Sequence, residues 1–241
     1  MQTFIRVTPV WKEALTDLEL RNVRRSVGVQ DGSTIEFLAP ERLDTTFYRR
    51  HFPGVTIRTV PNDSMRSVKA YNWLVSMPNF YETYSDFDFL AIVQTDAILI
   101  RGLDGLNLDL FDYLGAPWKC GIRYVRTRNR LYVDERCPSR LPSPKSLAIR
   151  TLGRRAWIGN GGLSVRRVPK FIALTHRLRP QIRTYLAQGL NEDVIFATAG
   201  ADAGLRIPSV EYAGGVFREH LTLEQADDLG LVGVHAPVES L

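Results

Sequence analysis

The stretch FDFLAIVQTDAILIRG, residues 87–102, constrains the fold more than any other part of the chain. Apolar residues run on both sides of Gln94, Thr95 and Asp96, and a run that apolar belongs inside a sheet rather than at its edge. The polar triplet divides it, so a first strand should stop near Val93 and AILIRG should form a short second one. A carboxylate between Val93 and Ile98 is costly to bury alone. Asp96 therefore needs a cation, a hydrogen-bond network or a turn that it caps.

The segments around this run set its context. TFIRVT (3–8), TIEFLAP (34–40) and VTIRTVP (55–61) read as strands, the last two closed by proline. Between them, Trp11 to Val27 places Trp11, Leu15, Leu18 and Val23 near helical spacing, and DSMRSVKAYNWLVSM (63–77) reads as a helix capped by Asp63 or Ser64. FDYLGAPW (111–118) turns into a further strand, and WIGNGGLSVRRV (157–168) is a glycine-rich turn followed by another. Pro169 to Leu186 is helical by periodicity, NEDVIF opens a helix with Asn191 as cap, and short strands and loops follow Leu205. Strand and helix alternation of this kind predicts an α/β fold with a mainly parallel sheet.

At 241 residues and 44% hydrophobic content, the chain can bury one large core, and it contains no internal repeat. The formal charge of +5 is uneven, because arginines crowd the segment from Arg123 to Arg167. Such a patch suits a polyanionic partner or a phosphate-bearing substrate, or serves solubility alone. The polar stretch 120–156 is long for a connector and reads as an ordered excursion or a mobile flap. Cys120 and Cys137, the only cysteines, build no disulfide framework and no CxxC motif, so a reducing compartment is expected. With no signal-like apolar region near the N-terminus and no membrane-length apolar run, the expected location is the cytoplasm.

In open α/β sheets ligands bind beyond the carboxyl ends of the strands, where Asp96 falls. A hard carboxylate there suits Mg or Mn holding a diphosphate, or simply caps a turn. In IGNGG, Gly161 and Gly162 allow close backbone approach to a ligand and Asn160 can bond a hydroxyl, although the same residues also make a tight turn. Glu192 and Asp193 begin a helix, where acids favour the dipole, and a carboxylate is also what deprotonates an acceptor hydroxyl. His235, in VGVHAP, offers imidazole to a metal or is plain surface polarity.

Taken in order, FYETYSDFDFLAIVQTDAILI, FDYLGAPW, IGNGGLSVRR, NEDVIF and VGVHAP resemble an uncharacterised family of bacterial and fungal proteins that look like GT-A fold glycosyltransferases. The resemblance spans about Lys69 to Pro237. It implies a GT-A-like fold, a single Rossmann-like mixed sheet flanked by helices with a smaller acceptor-side subregion. It also implies one domain over 1–241, with a nucleotide-binding half at 1–100 and an acceptor-side half at 101–241 that carries the Arg-rich loop 120–156. The implied activity is transfer of a sugar from a nucleotide-sugar donor to an acceptor hydroxyl, inverting and dependent on Mn or Mg. Asp96 matches the last acid of the metal motif, Gln94 stands where a first acid is usual, and His235 is the second metal ligand. Asp193 matches the base and Glu192 a partner for sugar hydroxyls. Donor and acceptor contacts are expected from Thr8, Pro40, Lys69, Asn72, Gln94, Thr95, Trp118, Asn160, Gly161 and Gly162. Arg123, Arg126, Arg128 and Arg130 would close over the diphosphate or recruit an anionic glycan. Nucleic acid is the less favoured acceptor, since only Tyr124 and Tyr132 interleave with the arginines. Two rivals remain: a non-catalytic nucleotide- or sugar-binding protein, to which Gln94 points, and a metal-dependent hydrolase or nucleotidyltransferase, which would gather more acids around its cation.

Overall fold

A computed structural model describes residues 2–127, 129–134 and 144–238, and the side chains of 144–146 are outside that description. Parallel strands β1 (Phe4–Pro9), β2 (Thr34–Pro40), β3 (Thr56–Val60) and β4 (Phe89–Val93) form one side of a six-stranded sheet, in the order β3-β2-β1-β4. The short β5 (Ala97–Leu99) leaves this sheet after the polar triplet, whereas β6 (Tyr113–Gly115) returns to its edge. Next come β7 (Pro117–Arg126), β8 (Leu131–Asp134) and β9 (Arg154–Ile158), an antiparallel three-stranded sheet, and then β10 (Leu163–Arg167), inserted antiparallel between β4 and β6. Strands β11 (Phe217–Glu219) and β12 (Gly233–His235) join β5 in a third sheet. The architecture is therefore mixed α/β around a central mixed sheet, as expected, with two small sheets attached.

Helices α1 (Asp17–Gly28), α2 (Thr46–His51), α3 (Val68–Leu74) and α4 (Pro78–Glu82) connect the parallel strands. Then follow α5 (Pro144–Leu152), α6 (Val168–Arg177), α7 (Arg179–Ala187), α8 (Glu192–Ile195), α9 (Val210–Val216) and α10 (Leu223–Asp228). The apolar residues of the central strands are buried, and separate clusters pack around Ile92, Phe89 and Phe37.

Several boundaries differ from the expectation for local reasons. The first helix begins at Asp17, not near Trp11, because Thr16 and Glu19 form a capping box. That leaves Trp11 in the loop after β1. The helix expected over 63–77 is a 3-10 turn at Asn62–Ser64 followed by α3, which Ser67 caps through the Ala70 N–H. The helix expected over 169–186 is two helices, because Pro180 starts a new one. Most of the described part of 120–156 is strand and helix rather than loop, while Arg128 and residues 135–143 lie outside the described residues. Cys120 is disulfide-bonded, a pairing that the expected reducing compartment did not include.

Candidate active site

The ends of β1 and β4, adjacent in the sheet, open onto a cavity of about 550 Å³. Nine of the expected residues line it: Asn72, Gln94, Asp96, Asn160, Gly161, Gly162, Glu192, Asp193 and His235. They come from five separate segments, and backbone pairing brings them together. The Gln94 N–H donates to the Gly162 carbonyl at 2.8 Å, which joins the polar triplet to the glycine turn. Antiparallel pairing of β12 with β5 sets His235 opposite Ala97, next to Asp96. The Ala236 N–H then donates to the Asp96 carbonyl at 2.7 Å. Ala236 holds φ at +47°, a left-handed conformation that a non-glycine residue adopts at a cost, directly after the histidine.

Asp96 occupies a turn rather than the interior of a strand. Its side chain is 58% exposed, with Oδ1 3.7 Å from His235 Nε2. A Cβ on Gly162 would lie 2.5 Å from that Nε2 and 2.7 Å from Gln94 Oε1, so only glycine lets the imidazole and the amide come so near the backbone. Asn160 accepts from the N–H groups of Gly162 and Leu163 through Oδ1, which orients its Nδ2 toward Glu219 Oε1 at 2.5 Å and toward His235 Nδ1 at 2.9 Å. Glu219 Oε1 is also 3.3 Å from His235 Nδ1. Among the described residues, no group of three or more His, Cys, Asp or Glu is arranged to hold a metal. The donors fit a divalent cation only as an open site, with Asp96 and His235 as protein ligands, Glu219 behind the imidazole, and the remaining positions left to substrate or water.

A different chemistry forms the floor. Glu192 is buried and accepts from Arg166 Nη2 at 2.9 Å, and the Arg166 side chain is itself wholly buried. Arg166 also donates to the Tyr81 hydroxyl at 2.8 Å and to Ser164 Oγ at 3.3 Å, and it lies 5.6–5.7 Å from the ring centres of Tyr113, Phe171 and Phe196. A Cβ on Gly161 would fall on Glu192 Oε1, so this glycine makes room for the carboxylate. Asp193 is partly open to the cavity, and its carboxylate accepts from the Val194 N–H at 2.7 Å and from the Gly161 N–H. Burial first, and then the charge of Glu192, push Asp193 up to about 8, against the lowering effect of those two N–H groups and of Arg166.

Five expected contacts do not line the cavity. Thr8 is buried within β1, and the chain reaches the cavity three residues later, at Trp11. Pro40 instead accepts from the Leu43 N–H at the end of β2. Lys69 is exposed on α3 outside the lining, where Arg66, Ser67 and Val68 stand instead. Thr95 is buried and donates to Glu19 Oε1 at 3.0 Å. Trp118 packs its ring against Gly159, where an added Cβ would strike it.

Trp11, Arg66, Tyr71, Asn191, Arg166 and Glu219 were not anticipated. Trp11 lines the cavity with 48% of its surface exposed, and recognising the T-x-x-E capping box after it would have placed it in a loop. Asn191 starts α8 without capping it; its Oδ1 accepts from Asn72 Nδ2 at 2.7 Å instead. Tyr71 hydrogen-bonds Gln94, and burial raises its phenol. No local pattern distinguishes Arg166 or Glu219 from ordinary strand residues.

No curated protein matches the sequence. Among solved structures, the chain is similar to CMP:2-keto-3-deoxy-manno-octonic acid synthetase complexed with CTP, at 14% identity and a TM-score of 0.51, over 86% of this chain and 88% of that one. That likeness establishes a shared fold. Over residues 54–224 the sequence matches a family model, and the chain belongs to the family described as Protein of unknown function (DUF5672).

Proposed function

We propose that the chain transfers a sugar from a nucleotide-sugar donor to an acceptor hydroxyl. The observation that supports this most is the meeting of nine residues from five sequence segments around one cavity. An enzyme whose structure shares the fold was solved with a nucleotide, CTP, which agrees with a nucleotide donor.

In this reading Asp193, when ionised, takes the proton of the acceptor hydroxyl as that oxygen bonds to the anomeric carbon and the bond to the diphosphate breaks. Its place in the cavity, open on one side and held by two N–H groups on the other, suits a base that must meet its partner directly. Glu192, tied to Arg166 through one oxygen, turns the other toward a sugar hydroxyl and keeps the negative potential that raises Asp193. Asp96 and His235 would hold Mn or Mg, which when bound would supply positive charge to the leaving diphosphate. Also in the cavity lining, the Trp11 indole offers a flat apolar surface to a planar group such as a nucleobase, and Arg66 offers a cation to phosphate. Inversion at the anomeric carbon follows from a single displacement with one base.

A second reading is a nucleotide- or sugar-binding protein without turnover. It is favoured by Gln94 in place of an acid and by the lack, among the described residues, of a three-ligand cluster. Calorimetric titration of nucleoside diphosphates with and without Mn, on the wild type and on Asp96→Ala, tests both readings. Transfer predicts Mn-dependent binding that Asp96→Ala removes. Unchanged affinity would reduce Asp96 to a turn residue, and metal-independent binding without sugar turnover would establish the binder.

A further inference from the structure

The positive charge of the chain resides in one unit. Residues 117–158 carry eleven Lys and Arg against two acids, whereas the rest of the chain carries twenty against twenty-four. The described part of this stretch is the β7–β8–β9 sheet with α5; Arg128, Arg136, Arg140 and the Lys145 side chain lie outside the described residues. Of its described cations, Arg126 and Arg154 share Asp202 at 2.8 Å each and Arg150 pairs with Asp134 at 2.7 Å. Lys119, Arg130 and Arg155 are exposed and have no carboxylate partner among the described residues.

Helix α5 runs along this basic sheet with its polarity reversed. Ile149 is buried, and Arg150 turns inward to Asp134, while its carbonyl accepts from Arg123 Nη1 at 2.7 Å. The residues that face outward are Leu147, Ala148, Thr151 and Leu152, which share one side of the helix by their spacing. Leu147 is 51% exposed and Leu152 81% exposed, and among the described side chains of the helix, 147–152, the one charged residue, Arg150, turns away from that side. Leu152 shares a surface hollow of about 410 Å³ with Arg126 and Arg154, so the apolar and basic surfaces adjoin.

We propose that this unit docks onto an anionic phospholipid surface, with Leu147 and Leu152 entering the interface and the arginines of β7 and β9 meeting the headgroups. An outward apolar helix face bordered by cations is the pattern of an interfacial helix lying in the membrane plane. The pattern requires no spanning segment, and no described helix is long and apolar enough to be one. A nucleic acid would use the cations but gain nothing from two exposed leucines, and it would want stacking surfaces. Here the Trp157 ring is already covered by the Arg155 guanidinium at 4.2 Å and Tyr124 is buried. A second copy of the chain would set one basic unit against another. The inference does not depend on sugar transfer, because vesicle binding needs neither donor nor acceptor.

Flotation with vesicles tests it, using the full chain and equimolar phosphatidylserine and phosphatidylcholine, with pure phosphatidylcholine as control. Binding should appear on the mixed vesicles only and weaken with salt. Each basic residue near such a surface contributes on the order of fivefold in partitioning, so Arg154→Gln, which removes the cation beside Leu152 and leaves Asp202 to Arg126, should lower binding about fivefold. Leu147→Ser and Leu152→Ser should each lower it about tenfold while leaving the unfolding temperature unchanged, since both side chains lie outside the core. Wild-type binding by the leucine variants would overturn the proposal. So would equal binding to pure phosphatidylcholine, or tighter retention by duplex DNA that ignores the leucine changes.

Discussion

The two acidic parts of the cavity are opposites. Asp96, which looks stranded in an apolar run, is the more exposed, at 58% of its side chain, and sits in a turn between strands of different sheets. Glu192 and Asp193, which look like ordinary acids at a helix start, stand over a buried arginine. Sequence context misleads in both cases because burial is set by what packs from elsewhere. Asp96 is freed by the departure of β5, and Glu192 is enclosed by Tyr81 and Arg166, which are far away in sequence. In the proposed reading the difference divides the labour: the exposed carboxylate would meet a cation, whereas the half-enclosed one has the raised affinity for protons that a base needs.

The largest effect should come from Asp193→Asn. If Asp193 is the base, transfer should fall by a factor of about 10²–10⁴ with donor binding retained, measured as turnover beside calorimetric titration. Wild-type activity should climb with pH toward about 8, where Asp193 ionises, and the variant's residual rate should not follow that limb. Stability moves the other way. A carboxyl raised in the folded state favours the fold at low pH and loses that advantage as pH rises through about 8, so wild-type stability should decline from the ordinary carboxylate range upward. The Asn variant has no such decline, and melting curves across pH should converge near pH ~4 and separate above it, with the variant more stable. Parallel curves would mean that Asp193 titrates normally.

Next in size is Arg166→Met, which attacks the floor alone. Removing one partner of a buried ion pair leaves Glu192 uncompensated at a cost of about 3–5 kcal/mol, read by urea denaturation. Adding Glu192→Gln should recover part of the loss, because the uncompensated charge goes with it. The rim pair offers no such leverage: with Asp96 so exposed, Asp96→Ala should leave the denaturation midpoint where it was. Equal destabilisation from both would erase the distinction between floor and rim.

What the sequence revealed and what it hid follow from the range of the interactions. Strands β1 to β4 are legible because each carries its own apolar run, whereas β7 and β8 are hidden because arginines interrupt theirs, and Gln94 to Asp96 is legible as a break because polar residues do not continue an apolar run. Gly161 and Gly162 are readable as places of close approach, since no other residue fits beneath Glu192 Oε1 or beside His235 Nε2. Thr8, Lys69 and Trp118 stand outside the cavity lining for a shared reason: knowing that a strand end or helix lies near a cavity does not say which residue turns toward it. Trp11 was hidden behind a helix assigned too early, although Thr16 and Glu19 mark the true start. Arg166 and Glu219 act only through tertiary contacts across 26 and 16 residues of chain, and no periodicity reports those.

Glu219 carries the smallest and most selective prediction. Its Oε1 lies within 3.3 Å of His235 Nδ1 while also taking a hydrogen bond from Asn160 Nδ2, and that Nδ2 is itself 2.9 Å from the same imidazole nitrogen. Two tautomers compete. With the proton on Nδ1 and donated to Glu219, Nε2 presents a lone pair toward Asp96; with Nδ1 accepting from Asn160, Nε2 carries the proton and cannot bind a metal. The charge of Glu219 favours the first. Glu219→Gln keeps the shape, removes that charge and shifts the balance toward the second, so Mn affinity measured by titration should fall about 10–100-fold with the fold intact. Unchanged affinity would remove His235 from the proposed metal site and leave Asp96 as its sole proposed protein ligand, while Asp193, whose shift comes from burial and Glu192, should keep its raised ionisation in either case.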